Sequence, residues 1–189
     1  MIFTTRPSGE RRVSTLSGER RAAMEAPTLR PGAESDLATM QRIAGDSPGA
    51  PQWSADIYRR MLSPDPESNL ARSLIVAVMM GQVVGFVVGS SLRSVSPPDF
   101  EIESLAVHAS FRRLGIGQVL LEALVKQATT EGATELRLEL RCSNQKALRL
   151  YARAQFAAVG IREDYYSDPI EDAILMARTL SPGESCSFG

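Results

Sequence analysis

Histidine and cysteine are both scarce in this sequence, and their scarcity removes several kinds of chemistry at once. The single histidine, His108, leaves a catalytic dyad or triad without obvious partners and reads as a surface residue at a strand end. Two cysteines, Cys142 and Cys186, make no disulfide framework, so the expected setting is the cytoplasm. No metal is expected. No uninterrupted apolar run approaches the roughly 18 residues needed to cross a bilayer, and the first residues lack the apolar segment of a secretory signal, so no membrane role is expected. Charge of one sign is missing too: 21 Lys and Arg against 22 Asp and Glu leave a net charge of -1. With no basic run interleaved with aromatics, nothing argues for nucleic acid.

What is present is an ordinary globular composition, 189 residues with 43% hydrophobic and 23% charged, enough for one domain with a core. Residues 1–26 are rich in Arg, Ser, Thr, Gly and Glu without periodicity and read as a disordered tail; 181–189, opening Ser-Pro-Gly, reads as a second. Between them, 27–180 forms the domain. "PTLRPG" is a short strand, Ser35-Asp36 can cap a helix to about Ala44, and Trp53 to Leu62 is a second helix. "SLIVAVMM" and "VVGFVVGSSL" flank Gly81-Gln82, which fits a type II′ hairpin with glycine first, and Phe100 to Ser110 is a third strand. Leu120, Leu121, Leu124 and Ala128 then recur at helical spacing, with Glu122 and Lys126 able to pair at i, i+4. "TELRLELR" alternates at period two, "NQKALRLYARA" is helical, and "FAAVGI" and "DAILMARTL" are strands. The order β-α-α-β-β-β-α-β-α-β-β predicts an α/β (α+β) fold: a mixed, mostly antiparallel sheet with helices on both faces.

"SFRRLGIGQVLL" starts a helix with residues that make helices poorly. A strand entering a glycine-containing turn and then a helix leaves unpaired N–H groups beside the positive end of the helix dipole, which suits an anion. Gly115 and Gly117 let a phosphate approach the backbone, and Arg112 and Arg113 add charge at the rim. A Walker loop is excluded because no Gly-Lys-Ser/Thr follows, and a dinucleotide fingerprint fails for want of a third glycine. A helix start with incidental glycines and solvated arginines is the plain alternative.

The segment "LAVHASFRRLGIGQVLLEAL" resembles the acetyl-CoA loop of the GNAT acyltransferase superfamily, Arg/Gln-x-x-Gly-x-Gly/Ala after a strand, with Arg112, Gly115 and Gly117 in its fixed positions. "LELRCSNQKALRLYARAQF", "DYY" and "EDAILMARTL" extend the likeness to the RimI-type ribosomal-protein-alanine N-acetyltransferases, over roughly Thr28 to Leu180. The resemblance implies acetyl-CoA as co-substrate. It implies that the backbone of Leu105, Ala106 and Val107 pairs with the pantetheine arm and that Arg113, Leu114, Gly115, Ile116, Gly117 and Gln118 wrap the pyrophosphate. It further implies Glu139 as base and Tyr151 as acid. Glu139 lies on the face of its strand opposite Leu136, Leu138 and Leu140. Asn144, Leu148 and Tyr151 share a helix face, Asn144 and Tyr151 about 10 Å apart along the axis, so Asn144 can meet pantetheine while Tyr151 meets the sulfur. A solvated carboxylate and a buried structural tyrosine are the plain readings of that pair. Glu101 and Glu103, on the strand where many GNAT enzymes carry the base, are candidates too, Glu103 the reserve. Trp53 fits either the core or a substrate groove.

Two departures stand out. Gln155-Phe156 replaces the usual Gly-Phe, which strains a helix C-cap by up to about 1 kcal/mol, and "EDYY" lacks the asparagine common before the tyrosine pair. A peptide α-amine, with a pKa near 8 against about 10.4 for lysine, is neutral often enough for a modest base. The expected acceptor is therefore a protein N-terminus, by resemblance the N-terminal alanine of a small-subunit ribosomal protein. A small-molecule amine, a lysine side chain, or an inactive acyl-CoA-binding module are the alternatives.

Overall fold

The period-two alternation around Leu136, Leu138 and Leu140 folds as strand β5 (Glu135–Arg141), its three leucines buried and Arg137 exposed between them. The structure, a computed structural model, describes residues 26–63 and 68–181, so the two expected tails lie outside the described residues except for Ala26 and Ser181. The remaining elements follow the expected order: β1 (Thr28–Pro31), α1 (Leu37–Gly45), α2 (Ala55–Leu62), β2 (Leu70–Met79), β3 (Gln82–Leu92), β4 (Asp99–Val107), α3 (Ile116–Thr130), β5, α4 (Gln145–Arg153), β6 (Ala157–Ser167) and β7 (Ile170–Thr179). Among the described residues no helix is long and apolar enough to cross a membrane.

The strands form one sheet in the order β1-β2-β3-β4-β5-β7-β6, antiparallel at every step except β4 to β5. Helices cover both faces. Met40, Ile43 and Tyr58 from α1 and α2 pack on Val76, Phe86, Val88 and Ala106, drawing only on β2, β3 and β4. Leu120, Leu121 and Leu124 of α3 and Tyr151 of α4 pack on the other face with Phe100, Ile102, Leu136, Leu138 and Leu140. Each core is a stripe of apolar residues at helical spacing facing a stripe at strand spacing.

Strand β4 belongs to both cores, and a bulge explains how. Val88 pairs with Ser104 and Gly89 with Ile102, which leaves Glu103 opposite no residue. The extra residue inverts the alternation, so Phe100 and Ile102 face α3 while Ala106 faces α1 and α2.

Three local expectations are corrected. In the β2–β3 hairpin Met79 pairs with Gln82, so the central residues are Met80 and Gly81, with φ of 49° and 73°. Positive φ at both gives a type I′-like turn rather than type II′. Asp36 caps α1 with no side-chain bond; its carboxylate instead accepts from the Ala33 N–H and from both Arg30 terminal nitrogens at 2.6 and 2.9 Å. The Arg30 ion pair and that backbone bond hold the Asp36 carboxyl below its usual range. Glu122 does not pair with Lys126 but accepts from Arg178 on β7 at 3.3 Å, tying α3 to the sheet.

Candidate active site

Strands β4 and β5 pair only through Phe100–Leu136, Glu101–Arg137 and Ile102–Leu138, although β4 runs on to Val107 and β5 to Arg141. Beyond Ile102 the bulged β4 bends away, and a slot opens in the middle of the sheet. Leu105, Ala106 and Val107 still pair with Val87, Phe86 and Gly85 of β3, which leaves the β5 side of this edge, apart from the Val107 carbonyl that Arg112 holds, open to a ligand that carries amides of its own.

At the head of this slot the chain turns into α3. Arg113 and Gly115 have φ of 65° and 86°, the left-handed values that turn successive N–H groups toward one point. Gln118 and Val119 donate to the Gly115 carbonyl, while the amides of Arg113, Leu114, Gly115, Ile116 and Gly117 have no acceptor among the described residues. Five convergent donors at a helix start fit a diphosphate. A Cβ at Gly117 would stand 3.3 Å from Leu150 and 3.6 Å from Leu105, in the corner where β4, α3 and α4 meet.

Arg112 is engaged elsewhere. Its Nε donates to the Val107 carbonyl at 2.9 Å, and one terminal nitrogen donates to the Asp46 carbonyl at 2.9 Å and to Ser47 Oγ at 3.1 Å. The guanidinium thus straps the α1–α2 loop to the start of the anion loop. Asn144 caps α4, its Oδ1 accepting from the Ala147 N–H, and its Nδ2 lies against Gly49 of the same loop. His108 caps the turn before α3 by accepting from the Ser110 N–H. Trp53 packs edge-on to Tyr58, ring centroids 5.5 Å apart, at the margin of the α1–α2 core.

Glu139 lies at the slot, and Tyr151 lies on the opposite face of the sheet. Glu139 is the first residue of β5 past its last pair with β4, pointing away from the leucine row. Tyr151 sits in the α3–α4 core against Phe156, 7% exposed, and burial raises its phenol far above the ordinary value, so it keeps its proton throughout the working range. Such a group can donate a proton but not accept one. Glu139 Oε1 meets Arg162 Nη1 at 2.8 Å, and the nearby Glu139 carboxylate raises the Tyr165 phenol above its ordinary value. Glu103 is bound through both oxygens to Arg72 Nε at 3.1 and 3.2 Å. A second anchor holds the nearby β6–β7 hairpin. Arg141 donates to the carbonyls of Asp168 and Pro169 and to Glu171, and stacks 4.1 Å over the Tyr166 ring. Glu171 also accepts from the Ser143 N–H at the start of α4, and that bond holds its carboxyl below the usual range.

Sequence reasoning missed Arg162 and Tyr165, since "IREDYY" has neither period. The only available signal was the spacing of a cation and a phenol on the strand nearest β7.

The sequence profile of the Acetyltransferase (GNAT) family matches residues 37–156. The chain belongs to this family. Among curated relatives, the [Ribosomal protein bS18]-alanine N-acetyltransferase of Salmonella typhimurium is 41% identical over 80 residues, 41% of this chain and 54% of that protein. An N-alpha-acetyltransferase of Sulfurisphaera tokodaii is 37% identical over 117 residues, 57% of this chain and 70% of that one. The matched stretch thus spans about half the length of the bacterial relatives. Among solved structures, Ard1 from Thermoplasma volcanium superposes with a TM-score of 0.71 at 29% identity, covering 83% of this chain and 99% of that one. The Escherichia coli ribosomal-protein-S18-alanine N-acetyltransferase gives a TM-score of 0.67 at 27% identity, covering 86% and 99%. This GNAT acyltransferase therefore belongs to a family that uses acetyl-CoA, and its homologues include enzymes named for acetylating protein N-termini.

Proposed function

We propose that this chain transfers the acetyl group of acetyl-CoA to the N-terminal α-amine of a protein, with the N-terminal alanine of a small-subunit ribosomal protein as acceptor. The observation that carries the reading is the carboxylate of Glu139 and the protonated phenol of Tyr151 on opposite faces of the sheet where the slot opens. In this reading the amides of Arg113 to Gly117 hold the pyrophosphate and the free edge of Leu105 to Val107 holds the pantetheine arm. Acetyl-CoA supplies an activated thioester. Glu139 takes up the proton that the attacking amine must lose, and Tyr151 delivers its phenolic proton to the departing sulfur. Arg112 and Asn144 act by bracing the α1–α2 loop over the slot. Relatives named for N-terminal acetylation support the acceptor class, and the cytoplasm is where such an acceptor is made.

Intact-mass measurement of alanine-starting and other N-terminal peptides, a lysine peptide and a polyamine with acetyl-CoA tests the acceptor. The alanine-starting peptide should gain a single acetyl group fastest. Tyr151→Phe should slow turnover by about 10²- to 10⁴-fold, the usual worth of a positioned acid. Glu139→Gln should recover rate as pH rises past the α-amine pKa near 8, and Tyr151→Phe should not. Wild-type turnover by both variants removes the pair and makes Glu103 the next residue to replace.

A further inference from the structure

The carboxylate read as proton acceptor already has a cation on it. Arg162 Nη1 lies 2.8 Å from Glu139 Oε1, with the arginine side chain 52% exposed and the glutamate 18%. The guanidinium also stands 5.4 Å from the centre of the Tyr165 ring. An incoming ammonium must compete with Arg162 for that carboxylate.

Two features make that exchange possible. Arg162 is where β6 loses its register: it pairs with Ala173, the next recorded pair is Tyr166 with Glu171, and Asp164 between them has a φ of 50°. A long side chain at the edge of an irregular strand, in a partly exposed ion pair, is weakly held. The second feature is an unpaired anion beside the site, since Glu101 pairs in register with Arg137, which shares its face of β5 with Glu139. Around Glu139, β4 contributes Glu101 and Glu103, β5 Arg137 and Arg141, β6 Arg162, Tyr165 and Tyr166, and β7 Glu171. Glu103 is held by Arg72, Glu171 by Arg141, and Arg137 by Asp99 and Glu135. Glu101 alone of these carboxylates has no ion-pair partner among the described residues, and it already feels the charge of Arg162.

We propose that Arg162 is a place-holding cation for the acceptor: its guanidinium occupies on Glu139 the position the acceptor's ammonium takes, and passes to Glu101 when the acceptor binds. Glu101, unpaired in the free enzyme, gains a partner when the acceptor binds, and the acceptor is selected as an ammonium on arrival. Arg162 is thus a specificity-determining residue of the acceptor site, a role that rests on the reading of Glu139 as proton acceptor.

Steady-state kinetics on an alanine-starting peptide at saturating acetyl-CoA test this. Arg162→Gln should lower the peptide KM at least threefold, because the ammonium no longer competes, and Arg162→Lys should restore it. Glu101→Gln should raise KM at least threefold in the wild-type background and leave it unmoved in the Arg162→Gln background, since its effect runs through the guanidinium. A fall in kcat with KM unmoved in Arg162→Gln would mean that Arg162 only orients Glu139. Equal effects of Glu101→Gln in both backgrounds would mean that no exchange occurs. Glu139→Gln, assayed alongside, separates the two readings. If it keeps wild-type kcat, Glu139 is not the base. If it loses kcat while Arg162→Gln leaves KM unmoved, the place-holder alone is overturned.

Discussion

Glu101 shows how one side chain can be kept ready at a cost to the fold. The residue's surface is open, yet the strands around its carboxyl desolvate it, and the charges of Glu139, Glu103 and Asp99 add to the effect, so its pKa stands above the ordinary 4.5. The folded protein therefore holds this proton more tightly than the unfolded chain does. The associated stability is complete below 4.5 and is lost as pH rises through that value to the raised one; above it the ionised carboxylate is a fixed penalty. Glu101→Gln removes the penalty. Its melting temperature should exceed that of the wild type at pH 7, and the gap should close as pH falls below 4.5, measured by circular dichroism melts across pH. A variant less stable than wild type at pH 7, or a gap that persists in acid, would show that Glu101 is not strained by its neighbours. The same crowding of negative charge suits a site that must attract an ammonium.

At the scale of elements, helix α4 ends against a rule that the sequence had flagged. Ala154 closes the helix and Gln155 follows with φ of 66°, the left-handed backbone that glycine adopts freely. Gln155→Gly should therefore stabilise the protein by up to about 1 kcal/mol, or roughly 2–4 °C for a domain of this size, read from thermal melts. No gain would mean that the Gln155 side chain compensates for the backbone it is forced into. Local signals of this kind, together with the two periodicities, made every helix and strand readable, because each needs only a few neighbouring residues. The β4 bulge was not readable. Phe100 to Glu103 alternates apolar with acidic residues, but Ser104 to Val107 is small or apolar at every position, so the inversion at Glu103 leaves no opposing alternation to read. Glu139, Tyr151 and the glycine loop could be named as candidates because the family motifs they resemble are each compact in sequence. The partners of Arg112, in contrast, are Asp46 and Ser47, and those of Glu139 lie on β6, at separations that no local pattern spans.

Across the whole molecule the slot is bounded by three parts that meet at one corner: the free edge of β4, the amides ahead of α3, and α4. A ligand lying across all three stabilises the folded state by mass action. CoA at about 100 times its Kd should add about 2.7 kcal/mol. For a domain of this size that is a rise of roughly 5–11 °C in melting temperature. Pantetheine, which lacks the diphosphate that the five amides would hold, should give a smaller shift at equal concentration. Gly117→Val tests the loop itself. The new methyls would enter the corner bounded by Leu150 at 3.3 Å, Leu105 at 3.6 Å and Val107 at 3.8 Å from the Cβ position, where soft side-chain ends can give way. The variant should fold, with CoA affinity at least tenfold weaker, about 1.4 kcal/mol. Its melting temperature should then move little at the CoA concentration that stabilises the wild type. A full CoA shift in folded Gly117→Val, or equal shifts from CoA and pantetheine in the wild type, would separate the anion loop from acetyl-CoA binding and leave the slot without its anchor.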